Sequence, residues 1–321
     1  MKKILVIGAA GQIGTDLTLE LRNRFGAENV VASDIKLGSE EVMEGGPFEK
    51  LDAIDRKALE GILDTYQITE IYHLAAILSG KAEKNPKWAW DLNMNSLFNV
   101  LDVSRARGIT KIFWPSSMGA FGPTTPKWDT PQITVMEPTS VYGISKLAGE
   151  RWVEYYHKKY GMDIRSLRYP GLISYKTEAG GGTTDYAVEI FYQAIKCGKY
   201  QCFISEDLAL PMMFMDDAVN ATIQLMEAPE DNIKVRSSYN LGGISFTPKQ
   251  LVEEIRKYIP ELKVTYNPDF RQEIAESWPR RISDEAAQND WDWQYEYDLQ
   301  KMTAVMVEKI REKLGRNSSE R

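Results

Sequence analysis

The sequence predicts an α/β fold in which helices cover both faces of a parallel β-sheet. Short runs rich in β-branched residues alternate, in the first half of the chain, with longer stretches whose apolar residues recur at helical spacing. The first such run ends in a glycine-rich turn that opens a helix, GAAGQIG at 8–14. With 321 residues, the chain is long enough for one large domain or for a main domain with a smaller lobe.

The elements of the first half are justified one by one. The continuous apolar runs predict strands at 3–7, 30–34, 71–75, 111–115 and 164–169. Helical spacing predicts helices at 12–25, 95–107 and 140–160. Because strands alternate with helices, the sheet is expected to be parallel and doubly wound, which is the Rossmann-type arrangement.

The pattern changes after about residue 170. A glycine-rich loop at 180–185 precedes a helix that reaches Lys196, and Pro248 suits the first turn of a helix at 249–258. Residues 264–266 are expected to form an isolated strand. We expect a Rossmann domain at 1–173 to which later segments return, a mainly substrate-binding lobe at 174–315, and a polar tail at 316–321.

Composition and charge exclude several classes of function. The net charge of -7 argues against nucleic acid and anionic membranes as partners. No apolar stretch is long enough to cross a bilayer, and the run before Gly8 is too short for a signal peptide. Cys197 and Cys202 have no histidine nearby, so their spacing does not predict a zinc site. We expect free thiols, a cytoplasmic location and no metal.

The glycine turn predicts a dinucleotide site. Gly8, Gly11 and Gly14 follow a predicted strand and open a predicted helix, so backbone N–H groups can face a pyrophosphate. A tight turn needed only for packing is the alternative. Asp34 closes the next strand 20 residues after Gly14, where a carboxylate binds ribose hydroxyls and repels a 2′-phosphate, which favours NAD. A solvated loop acid is the alternative, and Lys36 weakens the preference.

Further cofactor contacts are expected beside the turn and after the predicted strands. Asp52 could bind the adenine edge, although an N-cap formed by Asp55 explains part of that pattern. Asn93 is placed near a helix start, where it could hold strand ends or cap the helix, and His73 is expected to pack beside the sheet. The candidates are Gly8, Gly11, Gln12, Ile13, Gly14, Asp34, Ile35, Lys36, Asp52, Ala53, Leu74, Ala75, Ala76 and Asn93.

Tyr142 and Lys146 are the candidate catalytic pair. At positions i and i+4 of a helix they share one face, and a nearby ammonium group lowers the pKa of a phenol. Ser116 and Ser117 follow a predicted strand, where a hydroxyl could bind a substrate oxygen. The alternatives are two unrelated exposed residues and a serine that caps a turn. The motifs in this order indicate a redox enzyme that uses a nicotinamide cofactor.

These residues resemble the extended short-chain dehydrogenase/reductase family, which matches at the glycine turn, Asp34, Ser117, Tyr142 and Lys146. Within that family, the chain is similar to the short-chain-type L-threonine 3-dehydrogenases over nearly its whole length. The stretches that carry this similarity are 82–86, 90–96, 114–117, 121–126, 168–173, 180–186 and 268–272.

The resemblance implies that NAD⁺ oxidises the β-hydroxyl of L-threonine to give 2-amino-3-oxobutyrate. Tyr142 would take the hydroxyl proton, and Lys146 would bind the nicotinamide ribose and lower the tyrosine pKa. Ser117 or Ser116 would orient the substrate hydroxyl. The nicotinamide would lie against Tyr169, Pro170 and Leu172. The family also forms homodimers, through helices near 92–107 and 140–160.

A zwitterionic substrate needs groups for its carboxylate and its ammonium. The expected substrate contacts, besides Ser117 and Tyr142, are Ser79, Thr183, Thr184, Asp185 and Trp278. Turn chemistry is the alternative for the loop residues, and packing is the alternative for Trp278. Two other functions stay open: a nucleotide-sugar epimerase or dehydratase on the same fold, and a non-catalytic NAD sensor. Such sensors often lack the tyrosine or the lysine, and both are present here.

Overall fold

The computed structural model describes residues 2–177 and 180–319, and its main feature is a six-stranded parallel sheet. The strand order is β3-β2-β1-β4-β5-β7, so the winding reverses between β1 and β4. The predicted fold class is confirmed. The strands of this sheet are β1 (Ile4–Ile7), β2 (Val30–Asp34), β3 (Phe48–Lys50), β4 (Glu70–His73), β5 (Lys111–Phe113) and β7 (Ile164–Arg165).

Three smaller sheets complete the strands of the described chain. One sheet has the order β12-β8-β6 with parallel pairs, another has the order β13-β11-β9, and the third pairs β10 with β14 in parallel. Their strands are β6 (Ser116–Ser117), β8 (Leu167–Tyr169), β9 (Gly171–Ile173), β10 (Lys199–Cys202), β11 (Leu210–Phe214), β12 (Tyr239–Asn240), β13 (Ile244–Phe246) and β14 (Lys263–Tyr266).

Helices cover both faces of the main sheet. The helices are α1 (Gln12–Phe25), α2 (Glu40–Glu44), α3 (Arg56–Tyr66), α4 (Ser79–Ala82), α5 (Pro86–Arg107), α6 (Val141–Tyr160), α7 (Tyr186–Cys197), α8 (Met215–Glu227), α9 (Pro248–Arg256), α10 (Arg271–Ser277), α11 (Glu285–Trp291) and α12 (Leu299–Ser319). None of them, in the described part of the chain, is long and apolar enough to cross a membrane.

Strand β1 shows why the sheet needs a cover on each side. Its side chains alternate between two cores: Ile4 and Val6 pack with residues of α1 and α8, whereas Leu5 and Ile7 pack with residues of α3, α5 and α6. All four are buried. A third core joins α7, α9 and α12 to β10 and β11 in the second half. The expected division at residue 173 stays a prediction.

Several predicted boundaries are wrong. The helix expected at 95 begins at Pro86, whose ring suits a first helical turn, so Asn93 lies inside α5 and does not cap it. The strand expected at 164–169 is two strands in different sheets, because β7 pairs with β5 and β8 pairs with β6. The strand expected to be isolated at 264–266 pairs with β10. The strands expected to end at 75 and 115 end at His73 and Phe113.

Candidate active site

A cavity of about 220 Å³ opens where the glycine turn after β1 meets the segments after β4, β5 and β8. It lies at the carboxyl ends of parallel strands, which is where ligands bind in such sheets. Its lining consists of Gly8, Gly11, Gln12, Ile13, Leu74, Ala76, Leu78, Ser79, Pro115, Ser116, Ser117, Met118, Tyr142, Lys146, Tyr169, Pro170, Gly171, Leu172, Gly182, Thr183, Thr184, Asp185 and Trp278.

The glycine turn leaves no room for side chains. Gly8 has a φ of +93°, and a Cβ atom there would lie 2.7 Å from the backbone nitrogen of Ala75. A Cβ atom at Gly14 would lie 2.0 Å from the carbonyl oxygen of Gly8. Helix α1 begins directly after this turn, and no side chain caps its first N–H groups.

This geometry fits the pyrophosphate of a dinucleotide. Gly11, Gln12 and Ile13 at the uncapped start of α1 line the cavity, and the buried Gln12 amide nitrogen has no hydrogen-bond partner among the described residues. Both observations leave donors for a ligand that carries acceptor oxygens. A side chain at Gly8 or Gly14 would meet neighbouring backbone, so the tight turn that presents these donors requires glycine.

Asp34 is fixed at the end of β2. One carboxylate oxygen accepts the N–H of Ala10 at 3.0 Å, and the other accepts the N–H of Lys36 at 3.0 Å. The carboxylate therefore lies against the glycine turn, and each oxygen keeps a further lone pair for a ligand hydroxyl. The neighbouring Ile35 is half exposed, at 54%.

The remaining cofactor candidates differ in where they lie relative to the cavity. Leu74 and Ala76 line the cavity, whereas Ala75 supports Gly8 from behind. Asp52 and Ala53 are outside the cavity lining, and Asp52 accepts the N–H of Ile54 at 3.1 Å. The N-cap expected from Asp55 is present, with Ala58 N–H as donor at 3.0 Å.

Asn93 holds the segment that follows β4. Its side-chain oxygen accepts the N–H of Ile77 at 2.7 Å, and its nitrogen donates to the carbonyl of Ile77 at 3.2 Å and to Ser145 at 3.3 Å. Because Ile77 immediately precedes Leu78 and Ser79, the amide of Asn93 positions one wall of the cavity. His73 is buried in the sheet, as expected, with its Nε2 atom 3.2 Å from the hydroxyl oxygen of Ser96.

Tyr142 and Lys146 are both buried on the cavity side of α6, which begins after an N-cap formed by Ser140. The Lys146 ammonium donates to the carbonyl of Pro115 at 2.6 Å and lies 4.6 Å from the ring centre of Trp114. Burial lowers the pKa of Lys146 to about 7, against an opposing effect of the Glu150 carboxylate.

The pKa of Tyr142 departs from the sequence prediction. Burial raises it to about 12, and a hydrogen bond with Ser117 offsets only part of that rise. The sequence predicted a lowered pKa, and the direction is opposite because burial penalises the charged phenolate. A cation beside the phenol, such as a nicotinamide ring, would oppose that desolvation.

The two serines face opposite ways. Ser116 is buried, and its hydroxyl donates to the Glu150 carboxylate at 2.6 Å. The Ser117 hydroxyl instead bonds with Tyr142 and accepts the N–H of Gly119 at 3.1 Å. Side chains alternate along a strand, so two neighbouring residues of β6 must point to opposite sides. Between the two candidates, the geometry brings the Ser117 hydroxyl to the catalytic pair.

The candidate substrate-binding residues lie close together in the structure, although they are far apart in the sequence. The Ser79 hydroxyl oxygen lies 3.0 Å from that of Thr183, and both residues are buried. Asp185 accepts the N–H groups of Gly181 and Gly182, each at 2.7 Å, and burial raises the pKa of its carboxyl. Thr184 and Trp278 also line the cavity, and Trp278 is part of the third core as well.

Sequence reasoning missed five lining residues, which are Leu78, Pro115, Met118, Gly171 and Gly182. Pro115, Gly171 and Gly182 could have been identified, because they lie in the stretches 114–117, 168–173 and 180–186 that carry the family similarity. Leu78 and Met118 lie outside those stretches and carry no motif. The described residues contain no group of three or more His, Cys, Asp or Glu side chains that could hold a metal ion.

Comparisons with known proteins identify the family. The sequence profile of the NAD dependent epimerase/dehydratase family matches residues 4–242. An uncharacterised epimerase/dehydratase of Staphylococcus saprophyticus is 47% identical over 97% of this chain and 97% of its own length. The chain is also similar to a partial consensus L-threonine 3-dehydrogenase, with 55% identity, a TM-score of 0.95, and coverage of 97% of this chain and 99% of that one.

A second solved structure is the holo form of a GalE-like L-threonine dehydrogenase from Cupriavidus necator. It is 52% identical with a TM-score of 0.93, and the match covers 96% of this chain and 99% of that one. The chain belongs to the NAD dependent epimerase/dehydratase family. The resemblance noted in the sequence is confirmed, and so are the predictions of an NAD-dependent enzyme and of NAD as its cofactor.

Proposed function

We propose that this enzyme oxidises the β-hydroxyl of L-threonine to give 2-amino-3-oxobutyrate. The observation that carries the proposal is one cavity in which the Tyr142 and Ser117 hydroxyls share a lining with the Ser79–Thr183 pair and the glycine turn. The hydroxyls of Ser79 and Thr183 and the carboxylate of Asp185 in this lining suit a small zwitterionic substrate. The similarity to two threonine dehydrogenases supports the same substrate.

The residues that would hold NAD⁺ lie in the glycine turn and in the elements beside it. The first N–H groups of α1 and the Gln12 amide would bind the pyrophosphate, and Asp34 would bind the adenosine ribose hydroxyls. Lys146 would reach the nicotinamide ribose. When bound, NAD⁺ supplies an acceptor for the hydride that leaves the β-carbon of threonine.

Tyr142 would act as the general base. Its phenolate would accept the hydroxyl proton of threonine, while the Ser117 hydroxyl would hold the same substrate oxygen in place. Because burial raises the pKa of Tyr142 to about 12, this role needs positive charge nearby. The Lys146 ammonium on the next helical turn is placed to contribute that charge.

The Ser79 and Thr183 hydroxyls would bind the substrate carboxylate, and Asp185 would face the ammonium. Trp278 would cover the small substrate and exclude water from the reacting carbon. Homodimer formation and a cytoplasmic location belong to the proposal as well. The exposed aromatic side chains of Trp152 and Tyr155 on α6 would suit a dimer interface.

The test is NADH formation, followed by absorbance, from purified protein with NAD⁺ and L-threonine. D-threonine, L-serine and NADP⁺ serve as controls. NADH that forms with L-threonine and NAD⁺ alone supports the proposal. No NADH in a protein that binds NAD⁺, together with a melting temperature raised by UDP-glucose, would redirect the search to nucleotide sugars.

Tyr142→Phe tests the catalytic role separately from binding. We expect kcat to fall by about 1,000-fold or more, because a phenyl ring cannot accept the proton. NAD⁺ affinity should stay within about threefold of the original protein, since the ring keeps its volume. Equal turnover in both proteins would remove Tyr142 from the mechanism, and equal NAD⁺ binding without turnover in either would favour a sensor.

A further inference from the structure

Glu150 is a buried carboxylate on the same face of α6 as the catalytic pair. It follows Lys146 by one helical turn, just as Lys146 follows Tyr142. One of its oxygens accepts the Ser116 hydroxyl at 2.6 Å and the Nε atom of Arg168 at 2.8 Å, and the other accepts an Nη atom of Arg168 at 2.7 Å. Its exposed fraction is 0%, so water does not screen its charge.

Arg168 reaches this carboxylate because of the β6–β8 register. Ser116 pairs with Arg168 and Ser117 pairs with Tyr169, so the first pair shares one side of the small sheet and the second pair shares the other. Tyr169, Ser117 and Ser116 line the cavity, whereas Arg168 is not part of its lining. Arg168 also donates to the side chain of Asn240 at 2.9 Å, which holds its guanidinium in place.

Few charged groups surround the Lys146 ammonium. On its own helix it faces Tyr142 and Glu150, and from β4 it faces His73. Burial and the nearby Lys146 charge lower the pKa of His73 to about 3, so that imidazole is neutral at physiological pH. The Pro115 carbonyl and the Trp114 ring contribute dipoles from the β5 side. Glu150 is therefore the anion that acts on Lys146 in the described structure.

We propose that Glu150 and Arg168 are positioning residues that set how one proton is shared between Tyr142 and Lys146. The inference rests on the proposed role of Tyr142 as the base. After losing one proton, the pair exists either as phenolate and ammonium or as phenol and amine. A negative charge beside the lysine favours the first form, which is the reactive one. Arg168 limits this effect, because its positive charge cancels part of the Glu150 field.

The two single substitutions should therefore act in opposite directions. Glu150→Gln removes a negative charge, so the pair loses its proton more easily. The titration midpoint of the Tyr142–Lys146 pair should move about one pH unit lower. After that proton is lost, a smaller fraction of the pairs should be in the phenolate form. Arg168→Gln removes a positive charge and should move the midpoint about one pH unit higher. Replacing both residues removes both charges and should return the midpoint close to the original value.

The experiment titrates the Tyr142 phenol by near-ultraviolet absorbance in protein saturated with NAD⁺. Each variant is paired with a control protein that carries the same substitution together with Tyr142→Phe. Subtracting the absorbance of this control removes the signal of the other tyrosines. The pH profile of kcat/KM for L-threonine is the second readout. Opposite shifts, cancelled in the double variant, support the proposal. Shifts in one direction, or unchanged midpoints in folded variants, would overturn it and leave the ion pair a purely structural role.

Two features keep the test decisive. If Glu150→Gln fails to fold because Arg168 is left unpaired, Arg168→Gln must still raise the midpoint, and Arg168→Lys must return it. The phenol titration requires no threonine. A protein that titrates as expected but forms no NADH from L-threonine overturns the proposed substrate and leaves the proton-sharing inference standing.

Discussion

The proposed cofactor end of the cavity and its proposed substrate end are built in different ways. At the cofactor end, Gly8, Gly11 and Gly14 lie within seven consecutive residues, and the backbone itself forms the surface. At the substrate end, the bond between Ser79 and Thr183 joins residues 104 positions apart. The cofactor end therefore depends on the absence of side chains, whereas the substrate end depends on particular hydroxyls that tertiary structure brings together.

This difference teaches where each kind of substitution should matter. A methyl group added at the cofactor end meets backbone that cannot move away without opening the turn. A hydroxyl removed at the substrate end leaves the backbone intact and changes only what the cavity can bind. Substitutions at the cofactor end should therefore lower the affinity for NAD⁺, and substitutions at the substrate end should lower the affinity for L-threonine.

Gly14→Ala should have the largest effect. The added Cβ atom would lie 2.0 Å from the Gly8 carbonyl oxygen, so the turn must open and lose its contact with pyrophosphate. We expect NAD⁺ affinity to fall by about 100-fold or more, measured by calorimetry. Gly61→Ala is the matched control, because nothing lies within 4 Å of its Cβ position in α3. It should leave NAD⁺ affinity unchanged and raise stability by about 0.5–1 kcal/mol.

Asp34→Asn tests the role of a side chain at the cofactor end. The carboxylate holds the N–H groups of Ala10 and Lys36, and its charge repels a 2′-phosphate. We expect the preference for NAD⁺ over NADP⁺, taken as the ratio of kcat/KM values, to fall by about tenfold. The KM for L-threonine should not change. A preference that stays intact would mean that Asp34 acts only on the turn.

Thr183→Val should give the smallest and most selective effect. It removes the hydroxyl that lies 3.0 Å from Ser79, and the shape of the side chain is kept. We expect the KM for L-threonine to rise about fivefold to tenfold, with NAD⁺ affinity unchanged. Thr303→Val on α12 is the control, since its buried hydroxyl has no partner in the described structure. A change in NAD⁺ affinity with Thr183→Val would contradict the separation of the two ends.

The sequence predicted the elements around the glycine turn well because their determinants are contiguous. Helix α1 spans the predicted residues, Gln12–Phe25, and Asp34 ends β2 as expected. The start of α5 was missed by nine residues. Its first turns carry the half-exposed side chains of Trp88 and Trp90, which disturb the apolar spacing that marked the later turns.

The choice between Ser116 and Ser117 could not be made from sequence. It depends on the pairing of β6 with β8, which lies some fifty residues further along the chain. The pKa of Tyr142 was likewise predicted in the wrong direction. A motif shows that Lys146 is near, but it does not show how deeply the phenol is buried.

The register of β6 against β8 limits where the chain of this enzyme can gain or lose a single residue. Side chains alternate along a strand, so a slip of β8 by one residue would bring Tyr169 to the side that faces the Glu150 carboxylate and Arg168 to the opposite side. Ser166 is the single residue between β7 and β8, and the two strands belong to different sheets. Deleting or duplicating Ser166 would thus exchange the sides on which Arg168 and Tyr169 lie, although the chain would differ by one residue. Insertions and deletions should therefore be excluded from this junction.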